Sequence, residues 1–190
     1  MAKLYFRYAA MNAGKSTQVL QVTHNYESLG KMVMLMTAEV DGRFGEGQIT
    51  SRLGVSRAAE CFNDSTDMFV AIEQFRQDAG DRLGAVLIDE AQFLSSEQVR
   101  QIHKAVYQLG VPVLCYGLRT DFRGQPFAGS TMLLALAESL EEIKNVCSCG
   151  RKATMNIRCD ADGRRLREGP QILIGDANYR QSCACCFYTD

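Results

Sequence analysis

Residues 9–16 read Ala9-Ala10-Met11-Asn12-Ala13-Gly14-Lys15-Ser16, between an apolar run at 4–8 and a helix-forming stretch at 16–29. A strand that runs into a glycine turn and then into a helix opening on Lys-Ser has the layout of a phosphate-binding loop. In such a loop the backbone N–H groups and the helix N-terminus surround the phosphates of a nucleotide. Lys15 reaches the β and γ oxygens, and the Ser16 hydroxyl holds Mg²⁺. The pattern GxxxxGK[ST] has glycine where this chain has Ala9. Alanine follows the same backbone path wherever φ stays negative, so the mechanism survives the change. A Gly-Lys-Ser tripeptide at a helix start carries little weight alone; the strand before it and the helix after it supply the context.

A second segment joins the first. Residues 85–89 read Ala-Val-Leu-Ile-Asp, a short continuous apolar run suited to a buried parallel strand, and it ends on the acid pair Asp89 and Glu90. An acid at the C-terminal end of such a strand sits beside the phosphate loop. Asp89 is then placed to hold Mg²⁺ through water, and Glu90 to act as a base on whatever attacks the γ-phosphate.

Composition excludes several classes. With 190 residues, 46% hydrophobic and 23% charged, the chain reads as one globular domain with a small appendage. Lys+Arg number 21 against Asp+Glu 22, a net charge of −1, so no general polyanion-binding surface is indicated and no nucleic-acid partner is expected. The start Met-Ala-Lys-Leu-Tyr-Phe-Arg-Tyr lacks the long apolar segment of a secretory signal, and no stretch reaches the ~18 uninterrupted apolar residues that cross a bilayer. A soluble, cytoplasmic chain without membrane contact is expected. Eight cysteines in that setting favour a metal or reduced thiols over disulfides.

Strands are expected at 3–8, 31–37, 83–88, 111–116 and 140–146, and helices at 15–29, 65–79, 95–109 and 130–139. This alternation is that of an α/β fold with a parallel sheet of the P-loop type over residues 1–145. Ser95 or Ser96 is expected to cap the third helix. Residues 39–54, rich in glycine and charge, read as a mobile loop. From about Cys147 the character changes to short strands, turns and cysteines, a small β unit over 146–190. Cys147-Ser-Cys149 and Cys183-Ala-Cys185-Cys186 form two knuckles, and four thiolates drawn from them make a tetrahedral structural zinc site with no position left for catalytic water. Cys183 and Cys186 have the usual two-residue gap, which favours Cys147, Cys149, Cys183 and Cys186, with Cys185 as a substitute. Cys61, Cys115 and Cys159 read as core or surface thiols, and His24 and His103 as surface or satisfied positions on helices.

AAMNAGKST, TAEVDGRFG, VLIDEAQF, CYGLRTDFRGQPF and the two knuckles, in this order over nearly the whole chain, resemble the thymidine kinase family of the cellular and bacterial, zinc-containing, tetrameric type. The resemblance implies a P-loop domain binding ATP and Mg²⁺. It also implies a zinc-bearing domain whose lasso loop closes over thymidine, a homotetramer, and feedback by thymidine triphosphate. Carried over by position, Ala9, Ala10, Met11, Asn12, Ala13, Gly14, Lys15 and Ser16 are the ATP phosphate loop. Asp89, Glu90, Ala91 and Gln92 are the second ATP and Mg²⁺ segment, with Glu90 the base that takes the 5′-hydroxyl proton. Asp41 and Arg43 match a loop element near the phosphates. Met11, Leu118, Phe122 and Phe127 match the walls of the nucleoside pocket. Gln171, Ile172, Leu173, Ile174 and Gly175 match the lasso, with Tyr179 as its downstream contact. This chain has Gly175-Asp176 where the family often has two glycines, and one residue fewer before Tyr179.

Two other readings use the same residues. A P-loop ATPase acting on nucleic acid also places Asp-Glu after a strand and predicts nucleic-acid-stimulated hydrolysis, but the chain has no second ATPase lobe. Arg151, Lys152, Arg158, Arg164, Arg165 and Arg167 suggest a nucleic-acid-binding zinc ribbon; a solvated charged face accounts for that cluster more simply.

Overall fold

The computed structural model describes residues 1–40, 47–173 and 178–189. Strand β1 (Leu4–Ala9) leads through helix α1 (Lys15–Glu27) to β2 (Met32–Ala38), followed by the hairpin of β3 (Gln48–Thr50) and β4 (Ser56–Ala58) and by β5 (Glu60–Phe62). Helix α2 (Met68–Ala79), β6 (Leu83–Ile88), α3 (Ser96–Leu109), β7 (Val113–Leu118), α4 (Ala128–Leu136) and β8 (Ser139–Glu142) complete the larger part. The smaller part holds β9 (Met155–Cys159), β10 (Arg165–Leu166), β11 (Asn178–Ser182) and α5 (Ala184–Thr189).

Six strands form one parallel sheet in the order β5-β2-β6-β7-β1-β8. Both faces are covered, which is why β6 is apolar without alternation. Val86 and Ile88 pack with Leu4, Phe6, Val99 and Ile102 on the side of α2, α3 and α4, while Ala85 and Leu87 pack with Val19 and Leu20 of α1 on the other. The first residues after β1 and after β6 therefore emerge at the same C-terminal rim of the sheet, where open α/β sheets bind ligands. Among the described residues no helix is long and apolar enough to cross a membrane.

Ser95 caps α3 as expected. Its hydroxyl accepts from Gln98 N at 3.1 Å, and the Gln98 side chain accepts from Ser95 N at 2.9 Å, a reciprocal capping box. Two elements differ from expectation. Part of the segment read as a mobile loop is the β3–β4 hairpin, held because Ile49, only 2% exposed, joins the α1 side of the core. Helix α5 occupies the second cysteine knuckle, where Phe187 packs on Ile157 and Cys159. Six residues are too few to show a helical period in sequence.

Gly129, in the first turn of α4, fixes the distance between that helix and the turn after Glu90. A Cβ there would lie 2.5 Å from Leu94 O, 2.9 Å from Ala91 O and 3.0 Å from Gln92 O, all main-chain atoms. Gly129→Ala is expected to lose about 1–3 kcal/mol of stability, read by denaturant titration, and to lower catalytic turnover because the displaced turn carries Gln92. A variant as stable and active as the parent would show that α4 can retreat freely.

Candidate active site and metal centre

The phosphate loop is built from two left-handed residues. Asn12 has φ 65° and Gly14 φ 82°. Gly14 stands at the N-cap of α1, contributes no side-chain cap, and no acid follows in the first turn. The first N–H groups of α1 are thus left for an anion, with the positive end of the helix dipole behind them. Lys15, 9% exposed, opens the helix. The Ser16 hydroxyl acts on the Asp89 carboxyl and favours its charged form.

Strand β6 delivers Asp89 to the same rim, 3% exposed. Glu90 follows at φ 52°, a region that costs a non-glycine residue of order 1–3 kcal/mol and recurs at functional sites. The turn is pinned from several sides. Asp89 N donates to Met36 O at 2.9 Å, Glu90 N to Asp89 Oδ1 at 2.9 Å, and Phe93 N to Glu90 O at 3.0 Å. Gln92 braces the acid itself: its Nε2 donates to Glu90 Oε2 at 2.5 Å while its Oε1 accepts from Leu118 N at 3.0 Å. Burial, and next the negative charge of Glu90, push the Asp89 carboxyl up to about 6, against the pull of the Ser16 hydroxyl and Lys15. Two acids forced together beside a cationic loop make a site that favours a further cation.

These groups share one cleft of about 330 Å³, lined by residues 11–17 of the loop, Thr37, residues 48–53, Asp89, Glu90 and Leu118. Met11 and Leu118 therefore lie in the same cavity as the phosphate loop and the acid pair. Ala9, Ala10, Ala91 and Gln92 are buried behind it. The wall formed by residues 48–53 was missed in sequence because the three-residue strand β3 is too short to show a period.

The remaining expected pocket residues gather around an arginine. Arg158, 1% exposed, lies 3.8 Å above the Phe122 ring and 5.2 Å from that of Tyr179. It donates to the Tyr179 hydroxyl at 2.7 Å, to Pro170 O at 2.8 Å and to Gln171 O at 3.1 Å. The Gln171 side chain donates to Asp121 Oδ2 at 3.3 Å. Phe127 instead packs edge-on against Phe93, centroids 5.9 Å apart, and Ile172 and Leu173 are exposed. Asp41, Arg43, Ile174 and Gly175 lie outside the described residues. The reading of Arg158 as part of a solvated charged face is corrected: β9 alternation turns Asn156 and Arg158 to one side, and both are buried.

In the smaller part the Sγ atoms of Cys147, Cys149, Cys183 and Cys186 all lie within 4.8 Å of one another, with Cys149 and Cys183 at 3.6 Å. Tetrahedral Zn–S bonds of ≈2.3 Å require sulfurs about 3.8 Å apart, so the cluster could hold an ion such as zinc. Main-chain groups of Cys149 and Cys183 pull the Cys147 thiol down to about 5, while the crowded sulfurs push Cys186 up to about 12. The main-chain N–H of Cys186 lowers the Cys183 thiol as well, so the thiolate form is favoured at two of the four sulfurs. Cys185 is exposed and outside the group.

The family model for thymidine kinase matches residues 2–187. The chain is 54% identical to a thymidine kinase of Chromobacterium violaceum over the full length of both chains. It is 53% identical to one of Ruegeria pomeroyi over 92% of this chain and 87% of that one. With one of Salmonella paratyphi A it shares 50% identity over 97% of this chain and 89% of that one. The chain belongs to the thymidine kinase family. Membership of a kinase family implies ATP, in keeping with a loop whose helix N-terminus is left free of side-chain caps.

For this family member the metal centre makes a direct prediction. Metal analysis should find one tightly held Zn²⁺ per chain. Cys147→Ser or Cys186→Ser should lose it and lower the melting temperature, since structural zinc contributes folding energy. Cys185→Ser should keep it; loss of metal in that variant alone would reassign the ligand.

Proposed function

We propose that the chain transfers the γ-phosphoryl group of ATP to the 5′-hydroxyl of thymidine, giving thymidine monophosphate for DNA synthesis. The observation that carries this reading is the common cleft, in which the phosphate loop, the acid pair and an apolar wall of Met11 and Leu118 face one another. Phosphoryl transfer passes through a loose, charged transition state that needs positioning and cations more than covalent help. The loop 9–16 and the α1 N-terminus hold the phosphates, and Lys15 meets the β and γ oxygens. Asp41 and Arg43 are assigned beside them. Ser16 and Asp89 offer adjacent oxygen donors for Mg²⁺, which when bound neutralises charge on those oxygens. Glu90, steadied by Gln92, takes the proton of the 5′-hydroxyl as its oxygen attacks phosphorus and ADP leaves.

Met11, Leu118, Phe122, Phe127 and Tyr179 are assigned to the nucleoside, with main-chain groups of residues 171–175 reading its base edge. Residues 1–145 then form the nucleotide-binding part and 146–190 the zinc and lasso part. The family resemblance further supports a cytoplasmic homotetramer inhibited by thymidine triphosphate. ATP hydrolysis coupled to nucleic acid is not favoured, given family membership and a net charge of −1. Transfer of labelled phosphate from ATP to thymidine, compared with uridine and deoxycytidine, tests the whole assignment.

Lys15→Ala and Glu90→Gln should fail differently. Loss of Lys15 removes a cation from the phosphates, so ATP affinity and turnover both fall. Glu90→Gln keeps the shape and loses the base, lowering kcat by about 10²–10⁴ with ATP affinity retained. Near-normal turnover in Glu90→Gln at neutral pH would move the base to Asp41.

Specificity gives a separate test. Deoxycytidine reverses the donor and acceptor pattern of thymine and leaves buried groups unpaired, at ~1–3 kcal/mol each. The methyl group that separates thymidine from deoxyuridine offers only the ~1–3 kcal/mol of a filled apolar niche, so deoxyuridine should be a poor but real substrate. Leu118→Ala should erode the preference for thymidine over deoxyuridine without admitting deoxycytidine. An unchanged ratio of kcat/KM values would place the niche elsewhere.

A further inference from the structure

The phosphate loop is held from the cysteine-bearing part and from Asn145, the last residue before that part. Met11 N donates to Asn156 Oδ1 at 2.8 Å, and Asn145 Nδ2 donates to Met11 O at 2.9 Å, so both polar atoms of one loop residue are fixed. The other end of the Asn156 amide donates to Thr120 O at 2.9 Å, just past the end of β7. Asn12 Nδ2 donates to Gln181 Oε1 at 3.0 Å. The three amide side chains share one origin. Asn145 stands two residues before Cys147, Gln181 two residues before Cys183, and Asn156 lies on β9, which pairs with β11 through Asn156 and Gln181.

We propose that Asn156 is a positioning residue of the phosphate site, and that with Asn145 and Gln181 it makes the cysteine-bearing part a clamp on the ATP loop. The inference rests on the reading of residues 9–16 as that loop. Asn12 is left-handed at φ 65°, a conformation that persists only where the surroundings over-determine it. The Met11 peptide on one side and the Gln181 bond on the other supply that constraint. Residues 13–16 follow directly, and their N–H groups bind phosphate only if Asn12 keeps this turn. Asn156 is 2% exposed with both ends of its amide paired. Packing alone would be served by an apolar side chain of similar size, whereas holding Met11 N–H requires the acceptor.

The test measures ADP binding calorimetrically in the absence of nucleoside, together with hydrogen exchange, on the full metal-loaded chain. Asn156→Leu keeps the branched shape, at the cost of some added volume, and removes both bonds. It should weaken ADP about tenfold and speed exchange in residues 11–14, leaving zinc content and the protection of β6 unchanged. Gln181→Ala, which alters a partly exposed side chain, should weaken ADP about threefold by the same route, and decides the matter if Asn156→Leu fails to fold. ADP affinity within twofold of the parent in the folded variants overturns the proposal. So does a weakening matched by equal loss of protection in β6, which would be general destabilisation. A parent chain that binds no ADP overturns the phosphate-site reading itself; the two failures are told apart because the exchange at Met11 would still report the clamp.

Discussion

Asp89 is 3% exposed and next to a second acid, and such a carboxylate stays in place only where neighbours offset its lost hydration. The Ser16 hydroxyl, the charge of Lys15 and the main-chain N–H of Glu90 do this here, all from the rim where β1 and β6 end. That balance remains incomplete, as the upward push on the Asp89 carboxyl to about 6 shows. A site left short of positive charge would be relieved by a cation, and the same shortfall makes the cleft costly to build. The two-sided sheet supplies the rigidity that offsets this cost, with Leu87 and Ile88 at 0% exposure directly behind the acids.

The smaller part depends on a different interaction. Its strands are of five, two and five residues, and its buried apolar groups fall into two small clusters, one of which consists of Cys147, Ala153 and Cys183. So little apolar surface cannot by itself repay the ordering of some forty residues. A metal held by the four sulfurs would supply what this core lacks, and would also fix the places from which Asn145 and Gln181 reach residues 11 and 12.

The fold was largely legible because its signals are local. The run at 85–88 has the continuous apolarity of a strand covered on both faces, Ser95 and Gln98 are a cap written three residues apart, and Gly14-Lys15-Ser16 stands between a strand and a helix that give it context. The grouping of Cys147, Cys149, Cys183 and Cys186 was legible for the same reason, with Cys185 outside it. What escaped depends on distance in the chain. Gln92 matters because Leu118 N lies beside it, Asn156 because Met11 does, and Ile49 because α1 passes over it. Arg158 was misread in kind, since an arginine in a basic stretch looks solvated until the strand's alternation and the Phe122 ring are both in view.

Arg158 shows how a guanidinium can be buried beside aromatic rings. Its charge faces two aromatic rings, a phenol oxygen and two main-chain carbonyls, which together satisfy it diffusely. The planar fork lets one side chain bond Gln171 O and the Tyr179 hydroxyl at once, so both ends of the segment 171–179 are fixed to a single group. The rings that receive the guanidinium are those assigned to the nucleoside. The same guanidinium thus joins β9 to Gln171 and to Tyr179 of β11.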